Sequence, residues 1–106
     1  MNVIYTVTMY EITLSKAEVQ LGLKEAVSKA DRSRWEKIDY IEFLNMSNAR
    51  FAFEGRRTLT SFSRINDDEY DVTFFSLSEE QKTEAGKVTR IDVIDIAVPD
   101  SLKSGI

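Results

Sequence analysis

Three β-rich stretches of this chain change the parity of their apolar residues partway along. Val3, Tyr5, Val7 and Met9 give way to Tyr10, Ile12 and Leu14; Tyr70, Val72 and Phe74 give way to Phe75 and Leu77; Ile91 and Val93 give way to Ile94, Ile96 and Val98. Successive side chains of a strand point to opposite sides of a sheet, so a strand with one wet face keeps its apolar residues on one parity. A switch has two physical sources. Either a β-bulge inserts a residue and bends the strand, or the strand buries one face at one end and the other face further on. Both call for a sheet that is strongly curved or covered on both sides. Apolar strand surface left over would invite association, which makes a homodimer one expected outcome.

The helix that covers this sheet is announced by "LSKAEV" after the first strand, Val3 to Leu14. Ser15 and Glu18 have the spacing of a capping box, and Leu14 and Val19 that of a hydrophobic staple. Val19, Leu23, Ala26, Val27 and Ala30 recur at helical spacing, which predicts a helix over 16–30. Gly22 inside it costs about 1 kcal/mol relative to alanine. Residues 31–46 are ambiguous. Ser33 and Glu36 offer a second capping box, yet Ile38, Tyr40, Ile41 and Phe43 suit a strand, and a strand over about 37–45 is the expectation.

Beyond residue 50 the pattern reads as a meander. Arg50–Glu54 is expected to pair through a Gly55-Arg56 turn with Thr58–Ile65, which turns at "NDDE" into Tyr70–Leu77. Ser78 is then placed to cap a short helical turn ended by Gly86, before a last strand from Val88 to Val98 that Pro99 stops. The expected fold is α+β: one main helix packed on a curved, mostly antiparallel sheet of five to six strands.

At 106 residues the chain is expected to form a single domain. It has no cysteine and no histidine, which excludes disulfides, thiolate metal sites and thiol nucleophiles, and removes both the commonest metal ligand and the usual general base near neutral pH. No Walker-type loop, dinucleotide glycine pattern, serine elbow or zinc spacing is present. The expectation is therefore a protein that is not an enzyme and uses no cofactor or metal. The opening residues lack a basic region and a small-residue cleavage site, so the expected location is cytoplasmic, in a cell or an infected host. No membrane association is expected.

Two charged clusters are candidate sites. Residues 67–80 hold Asp67, Asp68, Glu69, Asp71, Glu79 and Glu80 with no lysine or arginine. If both groups lie near strand ends they form one acidic rim, able to dock on a basic partner; the plainer reading is a solvated turn and a helix start. "NDDEYD" lacks the glycine and distal glutamate of an EF-hand loop. The other cluster is "RFAFEGRRTLTSFSR", in which Arg50, Arg56, Arg57 and Arg64 stand among Phe51, Phe53 and Phe62. Single-strand binders combine such cations with aromatic platforms. Here, however, flat parity sets Arg50 on the face opposite Phe51 and Phe53, which favours a hairpin with soluble edges. Asp92 and Asp95, three apart in a strand, would cooperate only across a bulge.

Three functions fit these features. The leading one is a small non-enzymatic protein that blocks, bridges or regulates a host or regulatory protein by surface contact. Its profile of size and composition is shared by mobile-element inhibitors of host defence, immunity proteins and antitoxin-like partners. The alternative is a single-stranded nucleic-acid-binding protein using the arginine hairpin, against which a net charge of −4 counts. The third is a small ribonuclease-type toxin with Glu54, Arg57 and Tyr70 as its working residues; such toxins are normally basic, and this chain is acidic.

Overall fold

Strands β1 (Asn2–Ser15) and β4 (Glu69–Lys82) are the longest elements and pair antiparallel in unbroken register from end to end. At about 3.3 Å per residue each runs some 46 Å, and they set the 49 Å long axis of the molecule. The computed structural model describes residues 2–100, without the side chains of residues 2 and 90–92.

Around this pair the other elements follow in chain order: α1 (Lys16–Gln20), α2 (Leu23–Lys29), a 3-10 turn (Arg32–Arg34), β2 (Glu36–Phe43), α3 (Met46–Arg56), a second 3-10 turn (Arg57–Leu59), β3 (Ser61–Arg64) and β5 (Val88–Ala97). The sheet is antiparallel in every pairing. β2 lies outside β1, while β3 and β5 share the far side of β4, β3 against Tyr70–Thr73 and β5 against Phe75–Lys82. The expected α+β architecture is the one observed, with five strands.

The parity switch has both of its possible causes. β1 and β4 run past one another without a bulge, so their switch is a change of buried face. At one end Ile12, Leu14, Tyr70, Val72 and Phe74 point to the face covered by α1 and α2, hereafter the front, and join Val19, Leu23, Ala26, Val27 and Trp35. At the other end Val7, Phe75 and Leu77 point to the back, where Ala49 and Phe53 of α3 cover them. The two helical layers therefore sit diagonally, on opposite faces at opposite ends. In β5 the switch is a bulge: Leu77 pairs with Asp95 and Ser78 with Val93, leaving Ile94 as the extra residue.

The predicted capping box is present. The Ser15 hydroxyl accepts from the Glu18 N–H at 3.2 Å and the Glu18 carboxylate accepts from the Ser15 N–H at 2.9 Å. The helix expected over 16–30 is broken at Gly22, whose φ of 104° no other residue type adopts readily, so the chain steps from α1 to α2. Trp35 closes this layer. Its ring meets Phe74 edge-on at 5.0 Å and Tyr10 at 5.1 Å, and its Nε1–H donates to the Val27 carbonyl.

Two local expectations are corrected. Residues 50–54 are not a strand, and Gly55-Arg56 is not a hairpin turn: both lie in α3. Asn45 caps this helix by accepting from the Ser47 and Asn48 N–H groups, and Met46, Ala49 and Phe53 at i, i+3 and i+7 face the back core. The alternation of Phe51 and Phe53 imitates a strand, but only Phe53 is buried. Likewise Ser78 caps no helix. β4 continues to Lys82 because β1 and β5 supply ladder partners on both sides, and Gly86 instead takes φ 81° in the turn into β5. The strand expected over 37–45 is β2. Among the described residues, no helix is long and apolar enough to cross a membrane.

Candidate functional site

The six carboxylates of the expected acidic rim are divided by the length of β4. Asp67 and Asp68 occupy the β3–β4 turn and Glu69 and Asp71 begin the strand, whereas Glu79 and Glu80 lie eight or more residues on, roughly 26 Å away along the strand. They do not form one surface. Those in the turn are held locally: Asp67 pairs with Arg64, Asn66 Nδ2 donates to Glu69 at 2.9 Å, and the Thr13 hydroxyl donates to Asp71 at 3.1 Å. Glu80 accepts from the Thr6 hydroxyl at 2.9 Å on the front face.

Near the turn a different set of acids gathers. Glu11 stands opposite Glu36 of β2 and Thr73 of β4, and Asp71 stands opposite Thr13, all on the back face at the end that α3 does not cover. With Ser61 and Ser63 of β3 they make a polar quadrant of hydroxyls and carboxylates. Glu11 and Glu36 are far apart in sequence from the turn, and nothing short of strand register identifies them. Among the described residues no group of acids is arranged to hold a metal ion.

The arginine cluster is dispersed as well. Arg50 pairs with Asp95 at 3.2 Å, Arg57 with Glu54 at 2.9 Å and Arg64 with Asp67, while Arg56 donates to the Ala52 carbonyl. Phe53 is fully buried in the back core and Phe62 stacks on Tyr70 at 5.1 Å, leaving Phe51 as the one exposed ring of the three. Among the described residues these cations and rings are not gathered on one surface. Nor are Glu54, Arg57 and Tyr70 brought together: the first two end α3 on the back, and Tyr70 is buried in the front core. The Asp92 side chain lies outside the described residues, so the pair it was to form with Asp95 is not described.

Asp95 has a different place. Its Oδ1 lies 3.2 Å from Lys24 Nζ of α2 and its Oδ2 lies 3.2 Å from Arg50 Nη1 of α3, so one carboxylate at the β5 edge reaches both helical layers. Partial burial pushes its carboxyl up. The Ile96 N–H, Lys24 and Arg50 more than offset this and hold it below the ordinary aspartate value.

A partly apolar opening lies on the back, between β2 and the end of α3. It is a groove of about 300 Å³ floored by Val7, Met9 and Phe75, walled by Ile41 and Leu59, with Arg56 and Asp39 at its rim. Leu59 is 61% exposed, and the neighbouring segments display Leu44 at 81% and Phe51 at 84%. Such side chains stand out because the chain has buried cores available on both faces and leaves them outside. The switching strands themselves are mostly buried in the two cores, and these exposed apolar side chains come from α3, the 3-10 turn after it and the segment before it.

Comparison with known protein families, curated proteins and solved structures finds no match to this chain.

Proposed function

We propose that the protein is a non-enzymatic binding module, an inhibitor or regulator, that works by protein–protein contact through the back groove. The carrying observation is the groove itself: an apolar floor, two exposed apolar walls and a single charge of each sign at the rim. Interfaces are built this way, with a desolvated apolar centre that supplies the energy and charged edges that set orientation. An apolar side chain of the partner enters between Ile41 and Leu59, and Arg56 and Asp39 orient polar groups beside it. The pairing of Arg50, Arg57 and Arg64 with carboxylates favours this reading over single-stranded nucleic acid, because a basic groove needs several cations free to meet phosphates.

A second reading has its own observation. Glu11, Glu36 and Asp71 share an uncovered quadrant close to Asp67 and Asp68, and this field suits a basic protein surface.

Site-specific photo-crosslinking in the native cell separates the two. A photoreactive residue at Leu59 captures a discrete partner under the groove reading, whereas one at Asp68 captures it under the acidic reading. Absence of a discrete adduct from both positions would overturn the proposal.

A further inference from the structure

β2 is a strand without a buried residue. From Glu36 to Glu42 every side chain is exposed, Ile38 at 49%, Tyr40 at 52% and Ile41 at 41% among them. Among the described residues it pairs with β1 on one side only, so the N–H and C=O groups along its other side have no ladder partner there. The Tyr40 N–H donates to the Asp39 carboxylate at 2.8 Å, so a neighbouring side chain engages the backbone of this strand at its centre.

The register of this strand makes its edge self-complementary. Thr8 pairs with Tyr40 and Met9 with Asp39, but Tyr10 pairs with Lys37, so Ile38 is an extra, bulged residue. Lys37 and Glu42 are five positions apart and in a regular strand would lie on opposite faces. The bulge moves Lys37 to the front, where Glu42 and Tyr40 also lie, with the Lys37 ammonium 4.5 Å from the Tyr40 ring. The front row of β2 thus reads Lys37, Tyr40, Glu42, with Tyr40 at its geometric centre. Turned by a two-fold axis through Tyr40, the row meets its own copy with Lys37 opposite Glu42, Tyr40 opposite Tyr40 and Glu42 opposite Lys37. On the back, Ile41 meets the bulged pair Ile38 and Asp39.

We infer that β2 pairs antiparallel with β2 of a second copy of this chain, joining two sheets into one of ten strands. A registration one residue either way would break the match of faces that side chains need across an antiparallel pair. Cross-strand ion pairs and aromatic pairs of this kind stabilise a ladder, and like charges in their place destabilise it. In the pair the Tyr40 N–H donates to the Tyr40 carbonyl of the second copy, and the Asp39 carboxylate is released from it. This inference does not rest on the partner reading: the two share Asp39, Tyr40 and Ile41, but the pairing is carried by the edge of β2 and leaves the groove floor of Val7, Met9 and Phe75 open.

The test is multi-angle light scattering and sedimentation velocity on the full chain across a concentration series. The wild type is expected at twice the 12.2 kDa of one chain. Glu42→Lys sets two lysines against each other at both ends of the row and should weaken association at least about tenfold. Lys37→Glu combined with Glu42→Lys restores the opposition of charges and should restore the dimer. Asp39→Ala removes the side chain that occupies the Tyr40 N–H and should tighten it. All three positions are exposed, and circular dichroism checks that each variant is folded. A wild type that stays monomeric throughout, a dimer indifferent to Glu42→Lys, a folded double variant that fails to recover, or a dimer weakened by Asp39→Ala would each overturn the inference.

Discussion

Phe74 and Phe75 are consecutive in β4 and both buried, yet they belong to different cores. Phe74 packs with Tyr10 and Trp35 on the front, and Phe75 joins Val7 and Leu77 on the back. One peptide unit is thus the point where the molecule changes its covered face. Phe74→Leu and Phe75→Leu should each cost about 1–2 kcal/mol. Because the two rings share no core neighbours, the double variant should show a coupling below about 0.5 kcal/mol. Trp35, the one tryptophan of the chain, reports on the front layer alone. Its near-ultraviolet signal should change with Phe74→Leu and stay as in the wild type with Phe75→Leu. A response to both would show that the layers are mechanically one unit.

Gly22, at the break between α1 and α2, and Gly55, inside α3, should respond to alanine with opposite signs. A Cβ at either position would meet nothing within 4 Å, so sterics with neighbours decide neither case. Backbone conformation does. Gly22 sits at φ 104° and ψ 137°, close to a region reserved for glycine, and Gly22→Ala should cost about 1–3 kcal/mol. Gly55 is inside α3 without a positive φ, and Gly55→Ala should stabilise by about 0.4–1 kcal/mol. Urea denaturation of the two variants checks both signs.

What could be read beforehand and what could not divides along the same physical line. The Ser15–Glu18 box, the staple of Leu14 and Val19, the strand at β2 and the parity switches are local or periodic signals, and each corresponds to something in the fold. α3 was hidden because its buried side is only Met46, Ala49 and Phe53, too little apolar surface to outweigh the strand-like alternation of Phe51 and Phe53. The acidic rim failed for a related reason. Asp71 and Glu79 are close in sequence, but an uninterrupted strand holds them apart, and the helical turn expected after Ser78 would have folded them together. Lys37 and Glu42 show the converse: the bulge that sets them on one face is invisible without the register against β1.

The Glu18–Arg34 pair gives the molecule an acid limb. Arg34 Nη1 donates to Glu18 at 2.7 Å and Nη2 at 3.0 Å, and together with the Ser15 N–H they hold its carboxyl down to about 2, from 4.5. A depressed carboxylate stabilises the fold fully above its unfolded value and loses that contribution as pH falls through the folded one. Glu18→Gln keeps an acceptor for the Ser15 N–H but not the charge. Since both partners are partly exposed and screened by solvent, the variant should lose about 1–2 kcal/mol at pH 7. Chemical denaturation should find this difference constant down to about pH 5, shrinking below 4.5 and nearly gone at 2. A difference unchanged at pH 2 would assign the effect to cap geometry instead of charge.

Asp95 joins what Phe74 and Phe75 separate. The two helical layers share no core, and the sheet between them transmits little of one layer's packing to the other, but the Asp95 carboxylate is bonded to Lys24 of α2 and Arg50 of α3 at once. Ion pairs with partly exposed partners are individually weak, so Asp95→Asn should cost only about 1 kcal/mol of global stability. Asparagine keeps an oxygen for the Ile96 N–H, which the native carboxylate accepts at 2.8 Å, and so spares the bulge. The larger effect should be local. Hydrogen exchange in α2 and α3 should quicken together, although the helices lie on opposite faces, while the β1–β4 ladder keeps its protection. Lys24→Ala and Arg50→Ala provide the control, because each frees one arm of the clasp and should quicken exchange only in its own helix. Should Asp95→Asn loosen one helix alone, the carboxylate would be serving a single layer, and the two ends of the sheet would be coupled through the strands after all.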